Sequence, residues 1–279
     1  MQKRKYPIHL VDVFAERQLA GNQLAVVDEA AELSTQQMQA IALEMNYSET
    51  TFVTARAAGE ASVRIFTPDS ELPFAGHPTL GTAWVLNGGA GRIVLNLKMG
   101  RVPVEFADGI GWMVPPDVTF NGDLPASAAA ELIGLGEDEL VVDLPVELIK
   151  VGPQFVIIPV KRLASLQRAK LNEVFRASLM ADGVPARSVF VVSLEPYEAS
   201  ADFAARMFFE SAGIREDPAT GSANTAFAAY LRKHRGCLGR VVVDQGVEIN
   251  RPSRLYLDVA DTLVVGGKVQ PVLVGELTL

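Results

Sequence analysis

Apolar and polar residues alternate, or β-branched residues run unbroken, in short stretches along the whole chain: Ile8 to Phe14, Thr50 to Val53, Val63 to Phe66, Arg92 to Leu97, Val102 to Phe106, Gln154 to Val160, Ser188 to Val192, Ala205 to Phe209, Arg240 to Asp244, Arg254 to Val259 and Val269 to Glu276. A period of two with Val, Ile, Phe and Tyr enriched predicts strands. A period near 3.6 is rarer. It is clearest after Ser34, where Ser34 and Gln37 have the spacing of a capping box and Met38, Ile41 and Met45 fall on one helix face. The pattern predicts a strand-rich mixed protein of the α+β class.

Two further helices follow loops that read alike. The first loop is Pro73-Phe74-Ala75-Gly76-His77-Pro78-Thr79, leading into Leu80 to Leu86 and a stop at Gly88-Gly89; the second is Pro218-Ala219-Thr220-Gly221-Ser222-Ala223-Asn224, leading into Thr225 to Leu231 and a stop at Gly236. With Gly76 set against Gly221, the upstream Pro, the downstream Thr or Asn and the closing Leu coincide. Arg64-Ile65-Phe66 precedes one loop and Arg206-Met207-Phe208 the other. One unit used twice predicts two lobes. Turn formers from Pro115 to Pro125 mark the expected link. The expected division is 1–117, joined by the final strand 269–279, and 118–268.

Both helices are apolar all round over their first turns, the pattern of buried helices. A buried helix start leaves backbone N–H groups and a partial positive charge to be met by a cap or an anion. His77 and Ser222 are therefore candidates either to cap these helices or to meet a ligand there. Asp217, before a proline, reads as a turn former or as a group that holds a substrate hydroxyl or amine. Glu49, in the run Tyr47-Ser48-Glu49-Thr50-Thr51-Phe52-Val53, reads as an exposed acid at a strand edge or as a partly desolvated acid–base group.

Composition narrows the setting. A formal charge of −8, with no basic cluster beyond Lys3-Arg4-Lys5, disfavours nucleic acid and anionic membranes as partners. Apolar runs fall far short of the about 20 residues a membrane helix needs, and His9, Asp12 and Glu16 interrupt any signal-peptide core, so a cytoplasmic protein is expected. The single Cys237 excludes an internal disulfide and a cysteine metal cluster, and His9, His77 and His234 lack metal-ligand spacing. No metal is expected.

Ala20-Gly21-Asn22, Tyr47 to Val53, Arg64 to Pro68, Phe74 to Gly81, Glu216 to Ala223, Gln245-Gly246 with Arg251-Pro252-Ser253, and Gly266-Gly267 near Gly275-Glu276-Leu277 together resemble the PhzF-like family of phenazine biosynthesis, in family order from end to end. The resemblance implies the diaminopimelate epimerase-like fold, with two pseudo-symmetric lobes, each a curved sheet around a central helix, and the active site in the cleft between them. It also implies a homodimer. The implied reaction is a cofactor-free isomerisation of the kind that converts trans-2,3-dihydro-3-hydroxyanthranilate, in which a glutamate carries a proton from one carbon to another. Residue by residue, Glu49 matches that base, His77, Asp217 and Ser222 bind the polar groups of a small carboxylate substrate, and Gly76 and Gly221 offer backbone donors. In the related epimerases two cysteines stand just before the helix glycines. Here those positions are Ala75 and Thr220, which argues against thiol chemistry. A small-ligand-binding or regulatory protein on the same fold, and a thiol-free amino-acid racemase, are the alternatives.

Overall fold

The computed structural model describes residues 4–211, 214–236, 239–260 and 262–279; Lys3 and Cys237, both singled out in the sequence, lie outside them. Two compact units divide the chain: Met1–Val114 with Gly266–Leu279, and Pro115–Val265. The first holds β1 (Lys5–Val13), β2 (Asn22–Val27), α1 (Thr35–Met45), β3 (Glu49–Ala57), β4 (Glu60–Phe66), β5 (Glu71–Leu72), α2 (Gly76–Asn87), β6 (Gly91–Leu97), β7 (Gly100–Ala107) and β8 (Ile110–Met113). The second holds β9 (Thr119–Leu124), α3 (Ala126–Leu132), β10 (Val146–Lys150), β11 (Gln154–Val160), α4 (Leu163–Arg168), α5 (Glu173–Ala181), β12 (Val189–Ser193), β13 (Phe203–Ser211), β14 (Ile214–Asp217), α6 (Gly221–Arg235), β15 (Arg240–Gln245) and β16 (Ser253–Asp258). The unit boundary then falls inside β17 (Val264–Gly267), and β18 (Val269–Thr278) returns to pair antiparallel with β1 from Val13–Val269 to Lys5–Thr278.

The same sheet is built twice. In the first unit the strand order is β18–β1–β2–β3–β4–β6–β7–β8, parallel only at β2–β3 and β4–β6. In the second it is β9–β10–β11–β12–β13–β15–β16, parallel only at β11–β12 and β13–β15. The short strands β5 and β14 add antiparallel to β4 and β13. Each parallel joint requires a crossover, and the crossovers between β4 and β6 and between β13 and β15 carry α2 and α6. The repeat read from two loops is therefore a duplication of whole sheets.

Strand alternation decides which helix covers which face. On β3, Phe52 points to the cluster with Met38, Ile41, Phe66 and Leu33, under α1, and its ring meets Phe66 edge-on at 5.5 Å. Glu49, Thr51 and Val53 therefore share the opposite face, and there the Thr51 hydroxyl lies 2.8 Å from that of Thr82 on α2. On β12, Val189 and Val191 join the cluster formed with α3 and α4, while Phe190 faces Phe227 of α6 at 6.3 Å. The capping box of α1 forms as expected: Ser34 Oγ accepts from Gln37 N–H at 3.2 Å, and Gln37 Oε1 from Ser34 N–H at 2.9 Å.

Three helices and several strands depart from the expectations. The proposed link contains β9, an exposed strand defined by its pairing to β10 rather than by alternation of its own side chains. The short strands β2, β8 and β10 and the short helices α3, α4 and α5 carry little periodicity by themselves. The central helices start earlier than their apolar pattern, at Gly76 and Gly221, since packing overrides the low helix propensity of Gly. The packing is tight: a Cβ on Gly81 would stand 2.6 Å from Leu24 Cδ2 and 2.7 Å from Val13 Cγ2. Gly81→Ala is expected to lower stability by about 1–3 kcal/mol through overpacking, despite the better helix former, as read by urea unfolding. An unchanged or raised midpoint would mean the sheet yields freely there.

Candidate active site

Glu49 opens β3 opposite Leu24 of β2. Asn46, in the left-handed conformation, ends α1 and turns the chain into this strand. The Glu49 side chain is 16% exposed, and its Oε2 lies 3.5 Å from Nδ1 of His77, itself 5% exposed. Both belong to the first unit, and the Thr51–Thr82 hydroxyl contact ties their strand and helix together.

His77 is not a cap. The N-cap of α2 is Ala75, which has no side chain to offer, and His77 is the second residue of the helix. Burial pushes the imidazole down from its ordinary 6.5 to about 3, and a hydrogen bond with the Gln23 backbone opposes this only in part. A helix N-terminus disfavours a cation as well. His77 is thus neutral at neutral pH, and its contact with Glu49 is not an ion pair. Its Nε2 is buried with no hydrogen-bond partner among the described residues.

The sign of the stability effect follows. With the folded pKa below the unfolded one, His77 favours the folded state above pH 6.5, and that contribution is lost as pH falls from 6.5 toward 3. Between pH 6.5 and 4.5 the wild type is expected to lose roughly 2–3 kcal/mol more than a His77→Gln protein. Parallel pH-dependent slopes in urea unfolding would show that His77 takes up a proton without strain.

The second unit repeats the arrangement with different side chains. The N-cap of α6 is Thr220, and its side chain does not close the helix. Its hydroxyl donates instead to Asp217 Oδ2 at 2.5 Å. Ser222, read in the sequence as a possible cap, is the second helical residue, at the position of His77. Asn224 donates to the Thr220 carbonyl at 3.0 Å, as Thr79 donates to that of Ala75 at 2.7 Å. Gly76 and Gly221 are the first residues of their helices, so neither helix start is covered by its own N-cap side chain. Such ends present N–H groups to an anion. Of the sequence candidates, Glu49, Gly76 and His77 gather in the first unit, and Asp217, Gly221 and Ser222 in the second.

The arginines that precede the two loops each have an acid partner that the repeat did not reveal. Arg64 forks onto Glu71 at 2.8 and 2.9 Å, and Arg206 onto Glu216 at 3.0 and 2.7 Å. Each guanidinium also lies over a ring two residues on, Phe66 at 5.1 Å and Phe208 at 4.6 Å. The Arg64 hydrogen bonds hold the Glu71 carboxyl below its ordinary range. The signal was in the sequence. Glu71 and Glu216 each stand two residues before the loop proline, so the repeat extends upstream to Glu-x-Pro. Among the described residues no three His, Cys, Asp or Glu side chains gather as a metal cluster, and no helix is long and apolar enough to cross a membrane.

A thiol-based two-base epimerisation has no thiol at either helix start. Ala75 carries no acid–base atom, and the Thr220 hydroxyl is given to Asp217.

The family described as phenazine biosynthesis-like protein matches residues 11–275. The chain is 37% identical to the trans-2,3-dihydro-3-hydroxyanthranilate isomerase of Pseudomonas aeruginosa, with 88% of each protein covered. Its structure matches that of a PhzF-family phenazine biosynthesis protein from Bacillus anthracis with a TM-score of 0.88 and 26% identity, over 99% of this chain and all of the other. A hydroxyproline epimerase from Agrobacterium vitis shares the fold, with a TM-score of 0.63 at 10% identity over 99% of this chain and 93% of that one. The duplicated sheets around α2 and α6 are the epimerase-like fold expected from the motifs.

Proposed function

The chain belongs to the phenazine biosynthesis-like family and is an isomerase; from that premise we propose that it moves a proton between two carbons of a small cyclic or unsaturated carboxylate, with Glu49 as the acid–base group and without a cofactor. The observation that carries this reading is Glu49 Oε2 at 3.5 Å from a buried histidine whose pKa of about 3 keeps it uncharged. An uncharged neighbour places no counter-charge beside the carboxylate. One carboxylate, returning the proton it removed, suffices for a 1,3-type transfer, because a conjugated substrate spreads the carbanionic charge and fixed N–H donors meet it.

In this reading the Gly76 and Gly221 ends of α2 and α6 meet the negative charge of the substrate. His77, Asp217 and Ser222 hold its polar groups. His77 Nε2, buried and unpartnered among the described residues, fits a hydrogen bond from substrate, since a buried polar atom left unpaired costs about 1–3 kcal/mol.

The test is a set of small unsaturated carboxylates incubated with the protein in deuterium oxide, starting with trans-2,3-dihydro-3-hydroxyanthranilate, the compound in the name of the Pseudomonas aeruginosa relative. Glu49-dependent deuterium at a carbon of the product supports the reading. Stoichiometric binding with no exchange would instead favour a ligand-binding protein, and α-proton exchange from both enantiomers of an amino acid a racemase.

A further inference from the structure

The Gln245 side chain, fully buried at the end of β15, makes every hydrogen bond a primary amide can make, and all of them go to the segment that carries Asp217. Its Nε2 donates to the main-chain oxygen of Asp217 at 2.8 Å and to Thr220 Oγ1 at 3.3 Å. Its Oε1 accepts from the Thr220 N–H at 3.3 Å and from Asn224 Nδ2 at 3.0 Å. The next residue closes the same clasp by contact. Gly246 has φ of +78°, and a Cβ there would stand 2.6 Å from the Pro218 carbonyl oxygen and 2.5 Å from that of Arg251, so only glycine lets the β15–β16 turn lie against the loop.

The other half of the duplication shows that this clasp is not required by the fold. With Arg64 set on Arg206, the registers β4–β5 and β13–β14 match Leu72 to Asp217, and the registers β4–β6 and β13–β15 bring Leu97 to the place of Gln245. Where one unit has two leucines, the other has an acid and an amide. At the matching place in the first unit, the Met99 N–H donates to the Pro73 carbonyl at 3.1 Å. A buried amide costs stability unless fully bonded, so the polar pair in the second unit has a use that the leucines of the first do not serve.

We propose that Gln245 is the positioning residue for Asp217: it fixes the main chain at Asp217 and Thr220 and commits the Thr220 hydroxyl to donate to the Asp217 carboxylate. The second effect is directional. A hydroxyl that accepts from the amide of Gln245 has its own proton left to give, and Asp217 Oδ2 at 2.5 Å receives it. The inference rests on the reading of Asp217 as a substrate-binding group, and its test separates the two.

Gln245→Leu, the residue of the other unit, and Gln245→Met, which keeps the length of the side chain, are compared with wild type. The substrate-free readouts are the Asp217 side-chain carboxyl 13C resonance and hydrogen exchange at the Thr220 amide, with thermal unfolding as the check on folding. The resonance is expected to move, and Thr220 exchange to quicken by about tenfold or more as its acceptor disappears. An unmoved resonance or unchanged exchange in a folded variant overturns the proposal. Turnover of trans-2,3-dihydro-3-hydroxyanthranilate is followed in the same proteins, in Asp217→Asn and in the double variant. The expectation is a fall in kcat of about a hundredfold for Gln245→Leu with KM little changed, and almost no further loss when Asp217 is already Asn. Losses that multiply would show that Gln245 does not act through Asp217, which also overturns the proposal. Full turnover by Asp217→Asn, or none by the wild type, would overturn the assigned role of Asp217 or the substrate, while the two substrate-free readouts still decide the role of Gln245.

Discussion

Glu49→Gln protein is expected to fold like the wild type and to lose on the order of a thousandfold in turnover, the scale of a general acid–base group that both takes and returns the proton. The fold should survive because the substitution is isosteric, the side chain is 16% exposed, and the neutral His77 beside it loses no ion pair. The amide cannot hold the transferred proton, so the loss falls on kcat and on deuterium entering the product together. Mass spectrometry of product formed in deuterium oxide measures both. Full turnover with undiminished incorporation would remove Glu49 from the reaction, and attention would then move to Asp217.

The largest stability effect is expected at Arg206. Its guanidinium is one-tenth exposed, as is the Glu216 carboxylate it forks. It also donates to the carbonyls of Leu166, Gln167 and Ala169 at 3.2, 3.3 and 2.9 Å. A second acid, Glu248, lies 3.9 Å from Nε and accepts the Tyr197 hydroxyl at 2.5 Å. Desolvation works against the Arg206 cation, but the Glu216 hydrogen bonds and charge, helped by Glu248, outweigh it and hold its pKa above the ordinary value. Arg206→Met leaves two acids without their cation and three carbonyls without a donor. A loss of about 3–5 kcal/mol in urea unfolding is expected. Arg64 is the internal control, with the same fork and ring but side-chain exposures of 30% and 20% for Arg64 and Glu71. Water can replace much of what it provides, so Arg64→Met should cost roughly 1–2 kcal/mol. Equal losses at the two positions would mean that burial does not set the cost.

That contrast also shows how far the chain could be read before folding. Arg-x-Phe, the loop proline and the helix glycine recur within short windows, so the duplication was visible, and Ser34 with Gln37 named its own helix start. Local spacing settles these features because the interacting groups are within one turn or one loop of each other. Strands such as β9 and β10 escape any local window for the opposite reason. Each is defined by its neighbour, and Thr119–Leu124 has no alternation from which to infer one.

The site divides in the same way. The residue types at Glu49, His77, Asp217 and Ser222 drew attention by their loops and by family resemblance, each with a plain structural reading beside it. The sequence alone determined the fold class, the repeat and these candidates. Only the tertiary structure decided that His77 and Ser222 are not caps, that burial leaves His77 uncharged within 3.5 Å of Glu49, and that Gln245 grips the Asp217 segment from 28 residues away. Those outcomes depend on strand register and desolvation, which arise when distant segments pack, and no local window of the chain contains them.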